Sequence, residues 1–284
     1  MLLWPITRCV NIELVMRSSS AGFDVAEAGI GHDGAGASAV ESLPVIDLQS
    51  QELRDLVAAN AILYDRGVVD GFGHVSARLT GNPRYFLMAR SMAPALVRAE
   101  DVVLLNLAGE PCGDFAGALY LERFIHSEIY RARADVMAVV HSHSPSIIPF
   151  GCVTETALRP VYHMAGFLAP HVPRFEIRDV AGAASNMLVS DALLGQALSR
   201  TLGSATVVLM RGHGSTAVGN SLRQAVFNAV YTEINARLQS EAMRLGRVTY
   251  LNDDEATQAS TTNARQVDRA WDLWRMQAER NGLG

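Results

Sequence analysis

The stretch Val136-Met137-Ala138-Val139-Val140-His141-Ser142-His143 decides how this chain is read. Its apolar run is too short for an ordinary helix and suits a strand buried on both faces. Residues two apart on a strand share a face, so His141 and His143 point the same way. Two imidazoles projecting from one side of a rigid strand can converge on one ion, since zinc and similar metals accept imidazole nitrogen at roughly 2.0–2.1 Å. Taken alone, His-x-His also fits a pair of packing or surface histidines.

A second apolar run, residues 205–210, ends in Arg211-Gly212-His213-Gly214, where flanking glycines let the backbone approach a bound group closely. Between the two runs the periodicity predicts a helix over 190–202, and a further helix is expected after Pro145. Upstream, a helix over 118–132 carries Glu122 with His126 one turn later on the same side. Alone, Glu122 reads as an ordinary solvated helix carboxylate. Short strands are expected at 85–88 and 102–107, and turn and strand material at 68–79. Helices are expected at 51–65, 222–245 and 264–278, the last with Trp271 and Trp274 in a core role. Strands alternating with helices, without a regular βαβ repeat, indicate a layered α/β domain.

Composition narrows the classes. The 284 residues, 49% of them hydrophobic, can bury one large core. A formal net charge of -5 with no basic cluster argues against a nucleic-acid partner. Cys9, Cys112 and Cys152 form no CxxC pair, so neither a disulfide framework nor a thiolate zinc site is indicated, and a cytoplasmic location is expected. No uncharged apolar run reaches the ~20 residues of a membrane span, and residues 1–16 lack the layout of a signal peptide. The Gly-, Ala- and Ser-rich stretch from Ser18 to Ser42 marks residues 1–44 as a flexible arm, with Met16 an alternative start. Residues 45–284 form a single catalytic domain on this reading.

The ordered set Gly73-His74-Val75-Ser76-Ala77-Arg78, Glu122, His141-Ser142-His143 and Arg211-Gly212-His213-Gly214 resembles the class II aldolase/adducin superfamily over about Leu53 to Leu245. The resemblance implies a three-layer α/β/α sandwich around a mostly antiparallel sheet, assembled as a homotetramer with sites between subunits. It implies one divalent ion per subunit (Zn, Mn, Co or Fe) on His141, His143 and His213, with Glu122 as catalytic acid/base that also touches the metal.

The departures are informative. Metal-dependent sugar-phosphate aldolases of this superfamily hold phosphate with a GNxS turn, a Thr/Ser-Gly loop and a Ser-Ser pair before the catalytic Glu. This chain has His74 for the Asn, the glycine-free loop Ala89-Arg90-Ser91-Met92, and Tyr120-Leu121 for the Ser-Ser pair. A phosphorylated sugar is therefore not expected. Where the aldolases carry a proton-donating tyrosine from the neighbouring subunit, this chain reads Val161-Tyr162-His163-Met164, leaving His163 or Tyr162 for that role.

The variant set looks like the branch of 3-hydroxy-2-methylpyridine-4,5-dicarboxylate 4-decarboxylase and related hydroxyaromatic-acid decarboxylases. That implies a lyase breaking a carbon–carbon bond through a metal-stabilised enolate. It makes His74, Ser76, Arg78, Arg90, Ser91 and Tyr162 candidates for binding a small carboxylate substrate; Arg78 fits a structural ion pair equally well, and Arg90 a solvated loop charge. Three rival readings stand beside it: an aldolase acting on a non-phosphorylated hydroxy-keto acid, an iron-dependent oxidative decarboxylase, and a non-catalytic adducin-like scaffold.

Overall fold

The computed structural model describes Pro44 and residues 47–284; apart from Pro44, the arm expected at 1–44 lies outside the described residues. The elements run α1 (Gln51–Asp65), β1 (His74–Arg78), β2 (Tyr85–Ala89), β3 (Val102–Asn106), α2 (Arg123–Ala132), β4 (Ala138–Ser142) and α3 (Ile148–Cys152). They continue with β5 (Arg174–Phe175), α4 (Arg178–Ala181), α5 (Ala192–Leu202), β6 (Val207–Met210), β7 (Gly214–Gly219), α6 (Leu222–Leu245), α7 (Asp253–Ala264) and α8 (Val267–Arg280). The strands form one sheet in the order β3-β2-β1-β4-β7-β6-β5.

Alternation along the strands divides the core. Val75, Ala77, Leu87, Val140 and Leu209 pack on one face with Leu56 and Ile62 of α1, Phe227 of α6 and Trp271 and Trp274 of α8. Phe86, Met88, Val139, Val208 and Val218 pack on the other with Ile125 and Ile129 of α2 and Leu194 and Leu198 of α5. Burial on both faces explains why β4 and β6 read as continuous apolar runs. Trp271 and Trp274 are both buried, as a core role requires.

The expected mostly antiparallel sheet is corrected to a mixed one. β5 runs parallel to β6 at one edge, while β1–β2, β1–β4, β2–β3, β4–β7 and β6–β7 are antiparallel. The two-residue β5 carries too little pattern to be read in advance. Two helix boundaries also differ. Residues 118–122 stay outside α2, with the Ala118 carbonyl accepting from the Ser91 N–H at 2.8 Å. The last helical region is two helices, and Asn252 caps α7 reciprocally with Glu255.

β4 lies between β1 and β7, and its pairings set the site. His141 stands opposite His74 on one side and opposite Thr216 on the other. At the end of the β4–β7 pair only glycine fits: a Cβ on Gly214 would lie 2.0 Å from the Ser142 carbonyl oxygen. Gly214→Ala should therefore lower stability by about 3 kcal/mol or more, read by thermal or urea unfolding. A variant as stable as the parent would contradict this account of the β4–β7 approach.

Candidate active site

The C-terminal end of β4, the turn between β6 and β7, and the N-terminus of α2 meet at one point. The ligand atoms of Glu122, His141, His143 and His213 all lie within 4.8 Å of one another. His143 Nε2 is 3.1 Å from His141 Nε2 and 3.0 Å from His213 Nε2. Glu122 Oε2 is 3.4 Å from His141 Nε2 and 3.5 Å from His213 Nε2. A tetrahedron whose corners lie roughly 2.0–2.1 Å from its centre has edges of about 3.3–3.4 Å, so the spacing fits a zinc-type ion.

The surroundings prepare the donor set. The His141 ring is fully buried, and its Nδ1–H donates to the Ser215 carbonyl at 3.1 Å. That bond fixes the tautomer and leaves the Nε2 lone pair facing inward. Burial, reinforced by His141 and His213, pulls His143 down to about 4, so its ring is neutral near pH 7. For Glu122, burial alone would raise the carboxyl, but His141 and His213 beside it hold it well below the usual carboxylate range. Three imidazoles and a buried carboxylate crowded at such distances are best stabilised by a cation, and these residues fit one.

Glu122 is oriented from a part of the chain with no sequence signature. It is the residue that precedes α2, and its Oε1 accepts the Val189 backbone N–H at 3.0 Å. The loop providing that N–H contains Met187, a non-glycine residue at φ 71. Such backbone strain concentrates at functional sites. A backbone donor leaves no mark in side-chain pattern, so Val189 could not be found beforehand.

The remaining candidates divide. His74 is buried at the site, its ring centroid 4.9 Å from that of His141 and 4.7 Å from that of Tyr120. Ser76 lies one step deeper, its hydroxyl bonded to His126 and Tyr130. Tyr120 donates to the Met92 carbonyl, which brings the Arg90-Ser91-Met92 loop up against the His74 side of the site. Arg90 and Ser91 are exposed there, and Arg90 Nε pairs with Asp101 at 2.8 Å.

Arg78 requires a correction. Its guanidinium is spent on the Tyr130 carbonyl and, at 3.1 Å, the Arg133 carbonyl, and it lies over the Tyr130 ring. It also occupies the opposite end of β1 from His74, about 13 Å away at ~3.3 Å per residue. Arg78 secures the C-terminal end of α2 and is not placed to grip a substrate. Tyr162 and His163 are not joined to the cluster within one chain. Tyr162 packs against Tyr231 of α6, and the His163 carbonyl accepts from Asn263 of α7.

Residues 54–240 match the Class II Aldolase and Adducin N-terminal domain family. The chain belongs to that family. The chain is 34% identical to Decarboxylase tropJ of Talaromyces stipitatus, over 81% of this chain and 95% of that protein. It is 31% identical to a 3,4-dihydroxyphthalate decarboxylase of Arthrobacter keyseri, over 68% and 79% of the two chains. Among solved structures, an aldolase II superfamily protein from Pseudomonas syringae superposes with a TM-score of 0.67 at 23% identity, over 82% of this chain and 94% of that one. L-fuculose 1-phosphate aldolase from Glaciozyma antarctica gives 0.66 at 19% identity, over 84% and 96%. The fold is that of the class II aldolases, and this member is a lyase.

The donor set predicts uptake of one zinc or manganese ion per chain by metal-stripped protein. Metal at 100 times its Kd should raise stability by about 2.7 kcal/mol, seen as a higher Tm. His143→Ala should lose both the stoichiometric ion and the Tm shift. Stripped wild-type protein that takes up no divalent ion, with an unmoved Tm, would contradict the assignment.

Proposed function

We propose that this lyase is a divalent-metal-dependent decarboxylase of a hydroxylated aromatic or heteroaromatic carboxylate. On this reading residues 45–284 are its catalytic domain, it acts as a homotetramer, and it resides in the cytoplasm, where the free thiols of Cys112 and Cys152 would persist.

The observation that carries the reading is the make-up of the rim around the four-ligand cluster. Phe72 is 69% exposed with its ring 6.4 Å from that of His143. Leu121, next to Glu122, is 60% exposed. Large apolar side chains held in water beside a polar centre suit a flat ring carrying polar substituents. They offer nothing to a phosphate, and the hydroxyl-rich cradle of the sugar-phosphate aldolases is missing here. The names of the tropJ and Arthrobacter keyseri relatives, both decarboxylases, support the same choice.

In the proposed reaction the bond between a ring carbon and its carboxyl breaks. A proton is first delivered to the carboxyl-bearing ring carbon, which turns the neighbouring hydroxyl into its keto form. The carbon–carbon bond then breaks, carbon dioxide leaves, and the electron pair restores the aromatic ring with the negative charge on that oxygen. A divalent ion on His141, His143, His213 and Glu122 supplies Lewis-acid stabilisation of negative charge on substrate oxygen. Glu122 is the acid/base within this chain: Val189 holds Oε1, and Oε2, which faces His141 and His213, would touch the ion in the absence of substrate and carry a proton once substrate takes that place. The carboxylate-binding candidates are His74 and, in the loop that Tyr120 holds near it, Arg90 and Ser91. His163, or Tyr162 beside it, is assigned as proton donor to a neighbouring copy's site, because both pack with α6 and α7 of their own chain.

Metal-loaded protein should release carbon dioxide from at least one member of a panel of hydroxylated aromatic dicarboxylates, equally with and without oxygen, and chelation should abolish it. Glu122→Gln should lower kcat by about 10²- to 10⁴-fold. Release that requires oxygen would move the reading to an oxidative decarboxylase, and an aldehyde product from a hydroxy-keto acid to an aldolase.

A further inference from the structure

β1 and α2 meet along a polar seam whose inner residues, Ser76, His126 and Tyr130, have no part in the reaction described above. From β1, at a two-residue period, come His74, Ser76 and Arg78. Glu122, His126 and Tyr130 answer them at a four-residue period along α2 and its N-terminal end. His74 Nδ1 is 2.7 Å from His126 Nε2. Ser76 Oγ is 2.6 Å from His126 Nδ1 and 2.7 Å from the Tyr130 hydroxyl. All four side chains are buried.

Hydrogen placement along this chain is not arbitrary. The Tyr130 hydroxyl carries one hydrogen and, buried, must donate it; Ser76 Oγ is the acceptor the structure places within reach. Ser76 then has its own hydrogen for His126 Nδ1, which must offer a lone pair. An imidazole keeps at least one ring hydrogen, so His126, accepting at Nδ1, carries its hydrogen on Nε2 and donates it across the 2.7 Å contact to His74 Nδ1. The hydrogen of His74 is left on Nε2. Among the described residues, running the chain in reverse would leave the buried phenol hydrogen without an acceptor, at a cost of about 1–3 kcal/mol.

We propose that His74 is a further catalytic residue, whose Nε2–H, locked by the one-way chain from Tyr130 through Ser76 and His126, donates a hydrogen bond to a substrate oxygen beside the metal ligands. The β1–β4 register sets His74 directly across from His141, so the donor stands next to the ligand cluster. A neutral N–H suits this position, because a lysine or arginine there would be repelled by a divalent ion. Tyr130, Ser76 and His126 are positioning residues: they touch no substrate and act by fixing which nitrogen of His74 holds the hydrogen. The nature of the substrate, a hydroxylated aromatic carboxylate, rests on the decarboxylase reading; the polarity of the chain does not.

The test is a ring-nitrogen NMR spectrum of the zinc-loaded protein labelled at histidine, with His74→Gln used to assign His74. The hydrogen is expected on Nε2 of both His74 and His126, and Tyr130→Phe should lose this single tautomer. Ser76→Ala breaks the same chain if Tyr130→Phe does not fold. In turnover, His74→Leu should lower kcat/KM by about 100-fold. His74→Gln, which puts an amide N–H where Nε2 was, should recover most of it. A hydrogen on His74 Nδ1 overturns the proposal, and so does a His74→Leu variant of undiminished kcat/KM. Wild-type protein releasing no carbon dioxide would sink the decarboxylase reading instead, and the ring spectra would still decide the polarity of the chain.

Discussion

Strand register is the constraint on which the rest of this molecule depends. β4 is held on both sides, by β1 and by β7, and side chains alternate along it with a period of two. Val140 therefore enters the α1–α6–α8 core while Val139 enters the α2–α5 core, and His141 follows Val139 onto the α2 side. A slip of one residue would exchange these faces, burying His141 among leucines and turning Val140 toward Glu122. The apolar cores on both sides of the sheet forbid that slip. Catalytic geometry is thus enforced by hydrophobic burial remote from the chemistry.

α2 supplies the matching half. Its turn spacing places Glu122, His126 and Tyr130 on one stripe, and β1 offers His74, Ser76 and Arg78 to the same seam. Arg78 ties down the far end by bonding the carbonyls of Tyr130 and Arg133. Glu122 stands at the opposite end, where its second oxygen is free for the metal ligands once Val189 has taken the first. The seam accounts for the buried polarity of β1, which would otherwise be costly in a strand wholly removed from water.

Much of this was legible beforehand. The apolar runs that became β4 and β6 announced buried strands, and the His-x-His and His-Gly endings pointed to the three histidines that the structure brings together with Glu122, because a strand's period is short and rigid. α6 was readable from its length and periodicity. β7 was not: Gly214-Ser215-Thr216-Ala217-Val218-Gly219 is too polar and glycine-rich to advertise a central strand, and its place is set by pairing with β4 and β6. Arg78 misled because a guanidinium beside a site motif looks like a carboxylate ligand, and only the tertiary structure reveals two helix carbonyls claiming it. The partners of Glu122 and His74 stayed hidden because one is a backbone amide and the others lie about fifty residues away.

The chemistry proposed for this chain requires that Glu122, His141, His143 and His213 hold one divalent ion. X-ray absorption at the zinc edge of the metal-loaded protein measures this coordination shell directly. The expected shell is three imidazole nitrogens and carboxylate or water oxygen at roughly 2.0–2.1 Å, with one imidazole fewer in His213→Ala. A shell of oxygen alone, or one that His213→Ala leaves unchanged, would contradict it.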